Sequence, residues 1–153
     1  MKVCLGGTFY PLHKGHKMLL RKAFQTAGPS GTVFIGLTSA DMIQKKGKFP
    51  SFKKRKHIIE ELLAEEHTLN QVIIQQISDK FGPTLKTDFD AIVVSPETEP
   101  TAKQINTRRT KLGLKPLHII VIPFVRSEDG KPISSSRIRC MEIDENGTLL
   151  QQE

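Results

Sequence analysis

Leu5-Gly6-Gly7-Thr8-Phe9-Tyr10-Pro11-Leu12-His13-Lys14-Gly15-His16 joins an apolar run, Lys2 to Leu5, to a helical pattern that begins near Lys14. The run reads as a short buried strand entering a Gly-Gly turn. Gly6 and Gly7 let backbone approach a ligand with no Cβ in the way. A helix start offers unpaired N–H groups and the positive end of its dipole, which together suit an anion. His13 and His16 straddle that start, where ring nitrogens can donate to phosphoryl oxygens. Each feature is ordinary alone. A strand, Gly-Gly-Thr-Phe and then His-x-Gly-His opening a helix is a far rarer combination, and it points to phosphate handling.

Outward from this stretch, strand-length and helix-length patterns alternate. Lys14 to Ala27 reads as a helix with Met18, Leu19, Ala23, Phe24 and Ala27 on its apolar face. Gly28-Pro29 stops it. Thr32 to Leu37 is a second strand, after which Thr38 or Ser39 caps a short helix through Met42 and Ile43. A polar segment, Gln44 to Lys48, follows. Ser51 caps a longer helix with Phe52, Ile58, Ile59, Leu62 and Leu63 inward, and its basic turn, Lys53 to Lys56, is expected to be a solvated face. Gln71 to Ile77, Asp90 to Val94 and Leu117 to Ile122 are the remaining strands. Ser95-Pro96-Glu97-Thr98 leads into a helix ending near Leu112, with Ala102, Ile105 and Leu112 as its apolar residues. The segment from Met141 is polar.

This alternation predicts an α/β fold: a Rossmann-like, doubly wound sheet of about five parallel strands with helices on both faces, in one domain over residues 1–153. Such sheets bind ligands beyond the carboxyl ends of their strands, where strand order switches. Gly7 to His16, Lys45, Ser95 to Thr98 and Ile133 to Arg137 all follow strands and can converge there. No G-x-G-x-x-G is present, so a nicotinamide or flavin dinucleotide site is not indicated.

Composition narrows the partners. The 153 residues are 37% hydrophobic and 25% charged, ordinary for a globular chain. No stretch nears the ~20 apolar residues of a membrane span, so no membrane role and a cytoplasmic location are expected. The net charge is +7, but aromatics are 6% with no Trp, which leaves no obvious stacking platform for bases. A polyphosphate ligand suits this charge better than nucleic acid. Cys4 and Cys140 lie far apart with no metal-binding spacing, and no metal ligands are assigned.

Ser134, Ser135 and Ser136 before Arg137 suggest a second anion site, since capping needs one serine and a guanidinium can donate two parallel bonds. Two anion sites on one sheet edge fit a triphosphate. There is no carboxylate pair, no Walker lysine motif and no nucleophile in a motif. Direct transfer between two phosphates has these requirements, because it depends on positioning and charge neutralisation.

The Gly6–His16 signature and the I-S-S-S-R motif at Ile133–Arg137 resemble those of the nucleotidyltransferase superfamily. Gly36–Ser39, Val93–Thr98 and Pro123–Arg139 resemble the phosphopantetheine adenylyltransferases of the archaeal and eukaryotic type. The resemblance runs over nearly the whole chain. It implies transfer of AMP from ATP to 4′-phosphopantetheine, giving dephospho-coenzyme A and pyrophosphate, with Mg²⁺ carried on ATP. By motif, it implies that His16 stabilises the transition state and His13 supports the nucleotide phosphates. Gly7, Thr8 and Phe9 would border the α-phosphate, Pro96, Glu97 and Thr98 the nucleotide, and Ser134 to Arg137 the β- and γ-phosphates. Lys45, with Lys46 as its rival, would grip the acceptor phosphate beside Thr8 and Tyr10. Bacterial relatives carry arginines after the fourth strand, which makes Arg108 or Arg109 their candidate replacement. Tyr10 stands where the family usually has Asp. The competing readings are a related enzyme with a glycerol-phosphate, FMN or nicotinamide mononucleotide acceptor, and a non-catalytic nucleotide- or RNA-binding protein. Oligomeric state is not legible.

Overall fold

The computed structural model describes residues 1–43 and 49–151. Five strands, β1 (Lys2–Gly7), β2 (Thr32–Thr38), β3 (Val72–Ile77), β4 (Ala91–Val94) and β5 (His118–Val121), form one parallel sheet in the order β3-β2-β1-β4-β5. The expected α/β architecture is present. Strand order switches between β1 and β4, so the carboxyl ends of these two strands open the crevice in which such sheets bind ligands.

Among the described residues five α-helices accompany the strands: α1 (Lys14–Ala27), α2 (Ala40–Ile43), α3 (Phe52–Glu65), α4 (Glu99–Lys111) and α5 (Ser135–Arg139). Successive strand residues point to opposite faces, and the core divides accordingly. Val3, Leu5, Val33, Ile35, Leu37 and Val93 meet Leu20 and Ala23 of α1 and Ile59 and Leu63 of α3. Cys4, Phe34, Ile92 and Val94 meet Ala102 and Ile105 of α4 on the other face.

Several local expectations are corrected. The glycines are strand residues rather than a turn: Gly6 pairs with Gly36 and Gly7 with Leu37. A Cβ on Gly7 would come within 3.1 Å of the Phe9 ring, so this glycine makes room for a core side chain rather than for a ligand. On α1 the buried stripe is Leu20, Ala23 and Ala27, at i, i+3 and i+7, whereas Met18 is 40% exposed. On α4 the third rung of the stripe is Arg109 and not Leu112, which is 61% exposed. On α3 the basic turn is not wholly solvated, because Arg55 shares a buried stripe with Ile59 and Leu63. The polar tail folds back: Ile143 is buried, and the Glu145 carbonyl accepts from the Lys14 N–H at 2.9 Å. No helix among the described residues is long and apolar enough to cross a membrane.

Candidate active site

A cleft of about 760 Å³ opens over the carboxyl ends of the strands. Gly7, Thr8, Phe9, Tyr10, His13 and His16 line it from β1 and α1, Glu97 and Thr98 from the β4–α4 loop, and Ser134, Ser135 and Ser136 from the start of α5. The structure thus brings most of the sequence-assigned residues to one place. Pro96 and Arg137 are not among the lining residues, and Lys45 and Lys46 fall outside the described residues.

The two histidines hold each other. His13 is the N-cap of α1, and its Nδ1 accepts from the N–H groups of Gly15 at 3.0 Å and His16 at 3.4 Å. In return, His16 Nδ1 accepts from the His13 N–H at 3.2 Å. This is a capping box built from histidines in place of the usual hydroxyl and carboxylate. The rings stack, with centroids 3.8 Å apart. Gly15 is the residue that permits this, since a Cβ there would lie 2.8 Å from the His13 ring. With Lys14 bonded to Glu145, the N–H groups of all three first-turn residues are satisfied within the chain. The expectation of free helix-start N–H groups for an anion is therefore corrected.

What remains for a ligand is the other side of each ring. A neutral imidazole carries one donor and one acceptor nitrogen. Both acceptors are spent at Nδ1, so both protons sit on Nε2. Burial pushes the His13 pKa down to about 4. Burial, reinforced by the neighbouring His13, pushes His16 down to about 3, against a smaller opposing contribution from the Pro11 carbonyl. At neutral pH the pair therefore offers two uncharged Nε2–H donors. Both pKa values are depressed below the unfolded value of 6.5, so the unfolded chain binds more protons in that window. Stability from these groups is then lost as pH falls from about 6.5 towards 3.

Phe9 reaches the cleft through the loop, while its ring is buried and lies 5.1 Å from that of His16. Its φ of 53° is uncommon for a bulky residue and is a local strain beside the histidines. Tyr10 meets Phe49 edge-on at 6.0 Å. Arg139 lies over the same Phe49 ring at 5.0 Å, and it lines the cleft.

The cations are arranged differently from expectation. Arg137 turns away from the cleft, donating to Asp129, Glu142, Ser127 Oγ and the Pro132 carbonyl. Its partners Glu142 and Asp129 hold its pKa above the ordinary arginine value. Hydrogen bonds led by that from Ser127 hold Asp129 down at about 2. Arg109, one of the two candidates for the cation after β4, is buried and donates to the carbonyls of Thr84, Thr87 and Lys115. Arg108 instead stacks on Phe81 at 4.5 Å. Lys80 and Arg139 are the cations lining the cleft among the described residues. Arg139 and Lys80 were missed by the sequence reading. No cluster of three or more metal-ligating side chains occurs among the described residues, and Glu97 is the one carboxylate of the lining.

A family model described as cytidylyltransferase-like matches residues 4–141. The phosphopantetheine adenylyltransferase of Methanosarcina mazei is 47% identical over 152 residues, covering 99% of this chain and 98% of its own. That of Methanopyrus kandleri is 44% identical over 147 residues, covering 94% and 91%. A crystal structure of a protein of unknown function from Archaeoglobus fulgidus superposes with a TM-score of 0.73 at 36% identity, covering 80% of this chain and 89% of that one.

Proposed function

This chain belongs to the cytidylyltransferase-like family, and we propose from that premise that it transfers the adenylyl group of ATP to 4′-phosphopantetheine, releasing pyrophosphate. The observation that carries the chemistry is the histidine capping box in the cleft lining, which leaves two Nε2–H donors unused by the cap. The choice of acceptor rests on similarity to the phosphopantetheine adenylyltransferases over nearly the whole chain. The lining adds support: Phe81, Phe124 and Val125 give the cleft accessible apolar surface suited to a pantetheine arm and not needed for glycerol phosphate.

In this reading, an oxygen of the acceptor phosphate attacks the α-phosphorus in line. The new bond is acceptor O–Pα, and the bond that breaks joins Pα to the bridging oxygen of pyrophosphate. No proton transfer is required, since the nucleophile arrives ionised and the leaving group departs as an anion. The work left to the protein is orientation and stabilisation of charge on the phosphoryl oxygens. His13 and His16 donate there through Nε2, with Thr8 beside them. Ser135, Ser136 and Arg139 receive the β- and γ-phosphates. Lys45 or Lys46 serves the acceptor phosphate. Mg²⁺ enters as part of MgATP, because such ions take one or two carboxylates plus phosphates and keep several waters.

Pyrophosphate release with MgATP and a panel of acceptors tests the assignment. Dephospho-coenzyme A should form from 4′-phosphopantetheine, and no product from FMN, glycerol 3-phosphate or nicotinamide mononucleotide. Preferential use of any of the last three would overturn it.

The two arginines of the I-S-S-S-R-I-R segment should separate cleanly. Arg139→Ala should raise the KM for ATP about tenfold, the usual loss for one charge-assisted contact. Arg137→Ala should lower the melting temperature, because Asp129 and Glu142 lose their shared partner, with the KM for ATP within about twofold. The reverse pattern would return the phosphate role to Arg137.

A further inference from the structure

Arg55 is buried, and among the described residues its guanidinium meets only carbonyl and hydroxyl oxygens. Its Nε donates to the Pro50 carbonyl at 3.0 Å. One terminal nitrogen donates to the Thr38 carbonyl at 2.7 Å, and the other to the Thr8 carbonyl and to Thr38 Oγ1, both at 3.3 Å. No ion pair among the described residues includes it. Thr38 Oγ1 in turn lies 3.0 Å from Thr8 Oγ1, and both threonines line the cleft.

The direction of these bonds is set by chemistry. A guanidinium has donors and no acceptor, so Thr38 Oγ1 must accept from Arg55. A hydroxyl has one proton, and Thr8 Oγ1 is the acceptor for that of Thr38 among the described residues. Thr8 therefore accepts from behind, and its own proton is left to face the cleft. We propose that Arg55 and Thr38 form a one-way hydrogen-bond relay that presents the Thr8 hydroxyl to a substrate phosphoryl oxygen as a donor. Both are positioning residues. Naming the anion as a phosphoryl group rests on the adenylyl-transfer reading. A positive charge at the head of the chain, with no carboxylate paired to it among the described residues, polarises each bond toward the ligand.

A merely structural Arg55 has its carbonyl contacts at Pro50, Thr8 and Thr38 and has no use for the Thr38 hydroxyl. The test is a double-mutant cycle on the two threonines, which avoids any variant of the buried arginine. Pyrophosphate release and, by calorimetry, MgATP affinity are measured for wild type, Thr8→Val, Thr38→Val and the double variant, with melting temperatures as a control. Each single change should lower kcat/KM about tenfold. The double variant should fall no more than about threefold below Thr8→Val, because Thr38 acts only through Thr8. Thr38→Ser, which restores the hydroxyl, should recover the rate to within about threefold of wild type. A double variant about a hundredfold down, as independent effects require, would overturn the relay, as would an undiminished Thr38→Val. If wild type turned over no acceptor, the adenylyl-transfer reading would fail instead, and the same cycle in MgATP affinity would still decide the relay.

Discussion

His16→Ala is expected to lower kcat by about 10²–10³-fold while the KM for ATP changes far less. Removing one preorganised donor to an oxygen that gains charge in flight costs about that much. The side chain also has a second duty, because its Nδ1 accepts from the His13 N–H and closes the capping box. Losing a cap costs roughly 0.5–2 kcal/mol of stability. That would appear as a lower melting temperature and would not by itself reduce the rate of the folded fraction. The two contributions are therefore separable by measuring kcat well below the melting transition. Since burial keeps both rings neutral, no histidine inflection should appear in wild-type kcat between pH 6 and 8. A variant within about threefold of wild-type kcat would make His16 a structural residue only.

Arg109→Ala is expected to lower stability by about 3–5 kcal/mol, with little direct effect on the chemistry. The guanidinium closes three carbonyls, those of Thr84, Thr87 and Lys115, in a site almost without solvent. Each buried acceptor left without a partner costs on the order of 1–3 kcal/mol. Against the roughly 5–15 kcal/mol of a typical domain, this is a large share. Urea unfolding of the variant should show a lower midpoint with a similar slope. Retention of wild-type stability would mean that Arg109 is not the pin between α4 and the loop carrying Thr84.

The central strands β1, β2 and β4 were legible because both faces of the sheet are covered there, which makes each a short apolar run; the edge strands β3 and β5 keep Ile and Val runs although several of their residues are exposed. The stretch that forms the β1 end of the cleft was legible because a strand, two glycines and a paired-histidine helix start occupy one continuous segment. The buried arginines were harder. From sequence alone, Arg55 falls among its basic neighbours in a charge cluster, and Arg109 is, with Arg108, a candidate replacement for the arginines that bacterial relatives carry after the fourth strand. Yet Arg55, Ile59 and Leu63 are at i, i+4 and i+8, and Ala102, Ile105 and Arg109 at i, i+3 and i+7. Helical periodicity placed both on inward stripes, and their long side chains reach carbonyls at the ends of distant loops. Arg137 and Arg139 could not be told apart from sequence. Residues two apart on a helix face opposite ways, so the choice depends on how Ser134 sets the first turn of α5. The spent N–H groups of α1 were invisible as well, since one of their acceptors is the Glu145 carbonyl, far along the chain.

The proposed direct displacement at the α-phosphorus fits the histidine tautomers: with Nδ1 occupied and Nε2 protonated, neither ring has a lone pair free to act as a nucleophile. The stereochemical course of the reaction tests this most directly. ATP made chiral by sulfur at the α-phosphorus would be turned over with 4′-phosphopantetheine, and the configuration of the product determined. A single in-line displacement predicts inversion. Retention would require two displacements through a covalent adenylyl-enzyme, and would contradict direct transfer between the two phosphates.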